Sequence, residues 1–283
     1  MAVGSLQGQS KYIRLGGYRA HVGLYPAYRK EAPTILALHG FSGSGPDFGP
    51  LREALGGDRF GWILPDFMGH GESEAPAVID PYLLPNILQL VECSRQLAPN
   101  PKQIHLLGYS MGGRIALQYL ARARPLPCLL LSASPGLDDP EERARRRQAD
   151  SALIDLRSDT PETFASRWED QALIKPQTRL PESLASALRE RRRRNCLVGL
   201  RNTLLGSGTG TLPGLSSRLS ALPPCRCFYG ETDAKFARLA KSMGQANPRF
   251  SVQEVQDSGH APHLEQPFAL AELIDPESLE LKG

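Results

Sequence analysis

Residues 105 to 120 read HLLGYSMGGRIALQYL and give the clearest indication of the fold in this sequence. It begins as a hydrophobic run, is interrupted by glycines around Ser110, and continues with apolar residues at helical spacing. Residues 108 to 112 form a G-x-S-x-G pattern, in which the small residues around the serine permit a sharp turn from strand to helix. Such a turn exposes the Ser110 hydroxyl and points the next N–H toward a developing oxyanion. The sequence therefore predicts a reactive serine after a buried strand.

The rest of the chain predicts an α/β sheet around this turn. The predicted strands are TILALHG (34–40), GWILPDF (61–67), IHLLGYS (104–110), PCLLLSAS (127–134), PCRCFYG (224–230) and FSVQEVQDSGH (250–260). Helical patterns between the first four strands indicate a parallel sheet covered on both faces, with function at the carboxyl ends of the strands. From about residue 137, three helical patterns follow without a strand. We therefore predict a core of residues 1–137 and 214–283 and a helical insert of residues 138–213.

Composition limits the class of protein. The chain has 283 residues, no apolar run long enough to span a membrane and no secretory h-region, which predicts a cytoplasmic protein without a membrane partner. Five scattered cysteines favour reduced thiols. The net charge of +3 arises between residues 139 and 201, where 14 Lys and Arg face 11 Asp and Glu. This excess is too small to indicate nucleic acid, and leucines spaced around the ERRRRN run favour an amphipathic helix there.

A reactive serine needs a histidine that takes its proton and an acid that orients the histidine. His260, in DSGHAPHLEQP after the last predicted strand, fits the hydrolase order of serine, acid and histidine, and His263 is the alternative. Asp233 follows the preceding strand in FYGETDAKF, and Glu231 in the same loop is the alternative acid. We therefore predict a catalytic triad of Ser110, Asp233 and His260.

The backbone that follows the first predicted strand is expected to supply part of an oxyanion hole. In LHGFSGSG, the glycine lets the chain turn, and the N–H of Phe41 is expected to pair with the N–H of Met111 in an oxyanion hole. His39 and His70 lie in glycine turns and are expected to shape loops, while His21 is expected to precede the sheet.

These motifs together resemble the α/β-hydrolase superfamily over almost the whole chain, through HGFSGSG, DFMGHGES, GYSMGG, GETD and SGHAPHLEQP. The resemblance implies an α/β-hydrolase fold, with a mostly parallel central sheet, helices on both faces and an inserted helical cap. The finer pattern resembles the MenH family, the 2-succinyl-6-hydroxy-2,4-cyclohexadiene-1-carboxylate synthases of menaquinone biosynthesis. The arginine after GYSMGG, the EER..R...D stretch and the GETDAKF sequence carry this finer resemblance.

The MenH resemblance implies a lyase in which the triad acts as a base. Pyruvate is eliminated from 2-succinyl-5-enolpyruvyl-6-hydroxy-3-cyclohexene-1-carboxylate, a small-molecule polycarboxylate. Because guanidinium groups pair well with carboxylates, several arginines are expected at the site. By this resemblance the substrate-binding residues are Tyr109, Arg114, Arg146, Trp168, Arg192, Lys235 and Phe236. The register of Arg192 stays open among the neighbouring arginines at 191, 193 and 194.

Two other functions remain open. A carboxylesterase or C–C bond hydrolase of a small anionic substrate would use Ser110 as a nucleophile, and a noncatalytic binding protein would share the same fold. The chain departs from the MenH pattern at Phe67 and Met68, where LPGHG is common, and after Gln171, where a proline and a phenylalanine are usual. We find no motif for a metal or an organic cofactor, and the sequence does not predict an oligomeric state.

Overall fold

The computed structural model describes residues 8–123 and 125–279. Within these ranges, eight strands form one sheet in the order β1-β2-β4-β3-β5-β6-β7-β8. The strands are Gln9–Leu15 (β1), Tyr18–Tyr25 (β2), Thr34–Leu38 (β3), Gly61–Pro65 (β4), Ile104–Tyr109 (β5), Cys128–Leu131 (β6), Cys225–Gly230 (β7) and Phe250–Val255 (β8). All six predicted strands are present.

The directions of the strands explain why the predicted functional residues lie at one edge of the sheet. β2 is antiparallel to both of its neighbours, and the strands from β4 to β8 are parallel. The register of β3 against β5 runs from Thr34 opposite Ile104 to Leu38 opposite Gly108, so both strands end at one edge of the sheet. The hairpin of β1 and β2 was not predicted. His21, expected before the sheet, lies within β2 because the hairpin extends the sheet toward the amino terminus.

Helices follow most strands. They are Gly49–Ala54 (α1), Leu84–Arg95 (α2), Met111–Leu120 (α3), Pro140–Ala152 (α4), Pro161–Glu169 (α5), Glu182–Arg194 (α6), Leu197–Ser207 (α7), Ala234–Ala246 (α8), Pro262–Glu265 (α9), Pro267–Ile274 (α10) and Pro276–Leu279 (α11). Short 3-10 turns lie at Gly45–Phe48, Asp80–Tyr82, Lys175–Arg179 and Ser216–Ala221. No helix in the described ranges is long and apolar enough to cross a membrane.

The sheet is buried on both faces because successive strand residues point in opposite directions. Leu36 and Leu38 of β3 join a core with residues of α2, α3 and α8. Ile35 and Ala37 join a second core on the opposite face with residues of α1 and α10. Each fully buried leucine or isoleucine contributes about 1.5–3 kcal/mol. The predicted α/β class, with a mostly parallel sheet and helices on both faces, is confirmed.

Helices α4 to α7 lie between β6 and β7, in the region of the predicted insert. Ile154, Phe164 and Leu200 form part of a separate small hydrophobic cluster there. The division into a core of residues 1–137 and 214–283 and a cap of residues 138–213 stays a prediction.

The third helical pattern of the predicted insert, LPESLASALRERRRRNCLVGLRNTLL (180–205), is two helices in the structure. The chain leaves helical geometry at Asn195, between α6 and α7. The Asn195 side chain donates to the carbonyl oxygen of Ser42 and accepts the N–H of Gly71, at 2.8 and 3.1 Å. Both partners belong to loops beside the sheet, so Asn195 fixes the α6–α7 junction against them.

Candidate active site

Ser110 lies between β5 and α3, at the carboxyl edge of the sheet, with φ of 50° and ψ of −107°. This positive φ is strained for a serine and is typical of a nucleophile elbow. The neighbouring glycines permit the turn: a Cβ on Gly112 would lie 2.0 Å from the carbonyl oxygen of Leu38, and one on Gly108 would lie 2.6 Å from the Cα of Gly113. The turn therefore requires glycine at both positions.

Three side chains meet at this turn. The Oγ of Ser110 lies 2.9 Å from Nε2 of His260, and Nδ1 of His260 lies 2.7 Å from Oδ2 of Asp233. Asp233 precedes α8, and its other oxygen accepts the N–H of Phe236 at 3.1 Å. His260 and Asp233 are buried, whereas Ser110 is partly exposed. This chain of hydrogen bonds can carry the Ser110 proton to His260 while the carboxylate orients and stabilises the imidazole.

The structure does not bring the two alternative residues to Ser110. His263 is fully buried against the ring of Tyr109, at 4.3 Å between centroids, and within the described chain neither of its ring nitrogens has a hydrogen-bond partner. Burial, with a smaller contribution from His260, lowers the pKa of His263 to about 3, so it is neutral near pH 7. The carboxylate of Glu231 accepts the N–H of Asp257 at 2.8 Å.

The two residues expected to form an oxyanion hole follow neighbouring strands. Met111 is the first residue of α3, so its N–H has no acceptor within the helix. Phe41 follows β3 by three residues and lines the same cavity as Met111 and Ser110. Their position is compatible with two amide donors near the serine.

A cavity of about 780 Å³ opens in front of Ser110. It is bounded by the ends of β3 and β5, by α8, and by residues of α4, α5 and α7. Three cationic side chains and one carboxylate line it, namely Arg114, Arg146, Lys235 and Asp150. The rest of the lining is largely apolar. The volume fits a small ring compound with polar substituents.

Two arginines lie at one end of this cavity. Arg114 is 8% exposed, its Nε has no partner in the described chain, and its terminal nitrogen makes only a long contact of 3.4 Å to the carbonyl oxygen of Ser207. Burial, aided by the charge of Arg146, lowers the pKa of Arg114 to about 10. Nε of Arg146 pairs with Oδ1 of Asp150 at 2.7 Å, while Oδ2 of Asp150 is buried without a partner. This end carries positive charge that the protein pairs only in part.

Arg192 does not line this cavity. Its guanidinium pairs with Glu169 at 3.1 Å and donates to Gln177, so α6 is tied to the end of α5 and the following turn. The neighbouring Arg191 pairs with Asp47 at 2.8 Å. The sequence pattern could not distinguish these pairings, because acidic partners come from segments distant along the chain.

The four other predicted binding residues do line the cavity. Tyr109 is largely buried beside His260, and the Trp168 ring packs edge-on against Phe41 at 5.1 Å between centroids. Phe236 lies 4.4 Å from the His260 ring, and the exposed Lys235 extends over Phe236. The rings of Tyr109 and Phe236 thus flank the imidazole and restrict its movement.

Some lining residues were not predicted as site residues. Asp150 is the clearest, and its spacing of one helical turn after Arg146 is the signal that could have found it. Gln171 and Thr209 also line the cavity, and Gln171 directly precedes the positions where the chain departs from the MenH pattern. Phe67 and Met68, the departures from the MenH pattern, are buried in the core beside the sheet. Within the described residues, no group of His, Cys, Asp or Glu is placed to hold a metal ion.

The chain matches the Alpha/beta hydrolase family over residues 35–273. A Bacillus subtilis (strain 168) protein, provisionally assigned as a 2-succinyl-6-hydroxy-2,4-cyclohexadiene-1-carboxylate synthase, is 34% identical over 89% of this chain and 94% of its own. A synthase of that name from Salmonella paratyphi C (strain RKS4594) is 28% identical over 86% and 92% of the two chains. The solved structure of MenH from S. aureus matches with a TM-score of 0.79 at 28% identity, over 89% and 96%. The chain therefore belongs to the α/β-hydrolase superfamily and, within it, to the MenH family.

Proposed function

We propose that this protein is a lyase of menaquinone biosynthesis that eliminates pyruvate from 2-succinyl-5-enolpyruvyl-6-hydroxy-3-cyclohexene-1-carboxylate. The product is 2-succinyl-6-hydroxy-2,4-cyclohexadiene-1-carboxylate, the compound that gives the relatives their name. The observation that carries the proposal is the partly unpaired positive end of the cavity, one helical turn from Ser110. A neutral ester would leave this charge unpaired, whereas a polycarboxylate substrate would neutralise it.

Binding of the substrate follows from charge. The substrate carries three carboxylates, and the cavity presents Arg114, Arg146 and Lys235. A carboxylate placed between Arg114 and Arg146 would give the free Nε of Arg114 an acceptor and would share Arg146 with Asp150. Charge-assisted hydrogen bonds of this kind contribute about 1.5–3 kcal/mol each. Arg192 is left out of this subsite because Glu169 already pairs with it.

The proton steps use the triad. His260 takes the proton of the Ser110 hydroxyl, and Asp233 stabilises the imidazolium that forms. The resulting Ser110 alkoxide removes the ring proton, the electrons shift through the ring, and the C–O bond to the enolpyruvyl group breaks. His260 returns its proton to the leaving group, which becomes pyruvate. The amides of Phe41 and Met111 would stabilise negative charge that develops on an oxygen near Ser110.

The helices of residues 138–213 supply the second wall of the site. Arg146 on α4 and Trp168 on α5 lie in this segment, whereas the triad lies in the sheet region. We therefore propose that the segment acts as a cap that selects the substrate. Its closure over the sheet would exclude water from the alkoxide and strengthen the charge pairs within.

The test mixes the purified protein with the precursor, generated in situ by the preceding pathway enzyme, and follows pyruvate release. Ser110→Ala is the control, because the substitution removes the base and leaves the arginines in place. Pyruvate release well above the spontaneous rate, and its loss in Ser110→Ala, would support the proposal.

A second assay separates the lyase from the hydrolase that shares its triad. An aryl ester without carboxylates is offered to the same two proteins. If pyruvate release matches the spontaneous rate while the aryl ester is hydrolysed in a Ser110-dependent manner, the protein is a carboxylesterase or C–C bond hydrolase and the lyase proposal is wrong.

A further inference from the structure

A second hydrogen-bonded chain of serine, histidine and aspartate lies outside the cavity, on the β1–β2 hairpin. The Oγ of Ser10 is 3.0 Å from Nε2 of His21, and Nδ1 of His21 is 2.9 Å from Oδ2 of Asp66. Ser10 is in β1, His21 is in β2, and Asp66 follows β4, so neighbouring strands of the sheet bring the three together. None of these residues touches the cavity in front of Ser110.

Asp66 is held as a carboxylate. It is 1% exposed, and it accepts the N–H of Gly45 at 2.7 Å and the N–H of Glu72 at 3.0 Å. Burial alone would raise the pKa of Asp66, but the hydrogen bond from His21 and those from the backbone amides are among the interactions that together lower it. An ionised carboxylate at Nδ1 favours the tautomer of His21 that carries its proton there. Nε2 is then free to accept the Ser10 proton.

The surroundings restrain the histidine and leave the serine open. His21 is 8% exposed, and the ring of Tyr12 meets it edge-on at 5.5 Å between centroids. Ser10 is exposed, and its partner across the β1–β2 ladder is Gly23, which has no side chain to cover it. The group that would accept a proton is therefore buried and oriented, and the group that would react faces solvent.

We propose that Ser10 is a second activated serine, which accepts an acyl group from small activated acyl donors such as aryl esters or acyl phosphates. The Ser10 oxygen forms a bond to the acyl carbon, and the bond from that carbon to the leaving oxygen breaks. The Ser10 proton passes to Nε2 of His21 and then to the leaving phenolate or phosphate. The product is a surface ester on β1, formed independently of the reaction at Ser110.

The test uses the full chain carrying Ser110→Ala, so that the cavity serine cannot react. The protein is treated with p-nitrophenyl acetate, and acetylation is mapped by peptide mass spectrometry. Sensitivity to hydroxylamine distinguishes a serine ester from acetyl-lysine. Ser151 is the matched control, because it is exposed on α4 and, among the residues that the structure describes, its hydroxyl donates to the carbonyl oxygen of Gln148 and contacts no histidine.

Ser10 is expected to acetylate at least about tenfold faster than Ser151, since a positioned general base typically contributes about 10²–10⁴-fold. His21→Gln is expected to abolish this advantage, and a glutamine amide can still donate to Asp66. Equal rates at Ser10 and Ser151, or a Ser10 rate that His21→Gln leaves unchanged, would overturn the proposal.

A second measurement needs neither an ester nor a histidine substitution. In Ser10→Cys, the introduced thiol should be held partly as thiolate by His21, and should react with iodoacetamide at neutral pH faster than Cys196, an exposed free cysteine of the same chain. If His21→Gln unfolds the protein, the relative reactivity of the thiol at position 10 and of Cys196 tests the proposal on its own. A thiol at position 10 that reacts no faster than Cys196 contradicts activation by His21.

Discussion

Arg114→Met is expected to raise stability and to lower activity, a combination that marks a residue as serving a ligand rather than the fold. Met has a similar length and no charge. The fall in the pKa of Arg114 to about 10 corresponds to roughly 3 kcal/mol by which burial, aided by the charge of Arg146, disfavours the charged side chain. Because the folded pKa is the lower one, this cost is fully present at pH 7, where both folded and unfolded states carry the charge.

We therefore expect Arg114→Met to raise the free energy of unfolding by about 1–3 kcal/mol, since the lost packing and the long contact to Ser207 offset part of the gain. The expected loss in kcat/KM for pyruvate release is about 10- to 150-fold, from one charge-assisted hydrogen bond to a substrate carboxylate. Urea denaturation measures the first quantity, and the coupled pyruvate assay measures the second.

Arg226→Met is the matched control. Arg226 is also partly buried, but its guanidinium donates to the carbonyl oxygens of Leu273 and Ile274 and to the hydroxyl of Ser278, far from the cavity lining. Its loss removes the hydrogen bonds to all three acceptors, of which the carbonyl oxygen of Ile274 keeps a second donor in Ser278, and should cost about 1–3 kcal/mol while kcat/KM changes by less than about twofold. If Arg114→Met destabilises the protein as much as Arg226→Met, or keeps nearly full activity, Arg114 is a structural residue and the reasoning fails.

Three further substitutions test other parts of the site. Gly112→Ala should abolish activity and lower the thermal stability of the protein, because the added Cβ would overlap a carbonyl oxygen of β3. Gly49→Ala in α1 meets open space and should leave the free energy of unfolding unchanged or raise it by up to about 1 kcal/mol, so similar thermal melting of the two variants would contradict this reasoning. Because His263 binds a proton more weakly in the folded state than in the unfolded state, the stability of the wild-type protein should fall as the pH drops from 6.5 toward 3. His263→Leu should reduce the slope of stability against pH by up to about 1.4 kcal/mol per pH unit, and an unchanged slope in acid titrations monitored by fluorescence would show that His263 is not the group responsible. Arg192→Met should lower the free energy of unfolding, because it leaves the partly buried carboxylate of Glu169 without its partner. It should reduce kcat/KM less than Arg114→Met does, and steady-state kinetics that show the reverse order would place Arg192 at the substrate.

The predictable parts of this fold are those in which one local pattern decides the structure. The buried strands are short apolar runs, and the G-x-S-x-G turn follows one of them, so the elbow at Ser110 could be located from the sequence. The β1–β2 hairpin was missed because its first strand, QSKYIRL, is an exposed edge strand with mostly polar residues. The hydrophobicity of a sequence reveals a strand when the strand is buried, and an edge strand such as β1 is largely exposed.

The remaining differences depend on contacts between distant segments. The break between α6 and α7 follows from Asn195 bonding to two loops of the sheet region, and the local helical pattern does not reveal those partners. Arg192 is withdrawn from the cavity by Glu169 on another helix, although its sequence position suits the site. Periodicity predicts which face of a helix a residue occupies, but the partner that meets that face is set by tertiary packing.

The choice between a lyase and a hydrolase also depends on contacts that the local sequence pattern does not reveal. Both chemistries begin when His260 takes the Ser110 proton, so the triad distances are equally suited to an alkoxide that attacks a carbonyl carbon and to one that removes a ring proton. The atom that reaches Ser110 is fixed by the groups that hold the rest of the substrate in the cavity. Because Arg114 is buried in the cavity lining with an unpaired Nε, and two arginines share the single carboxylate of Asp150 there, a carboxylate is the group best held beside them. The arginines therefore favour an anionic substrate, which a lyase and a hydrolase of small anionic compounds would share, and the case for elimination over hydrolysis comes from the similarity to the synthases.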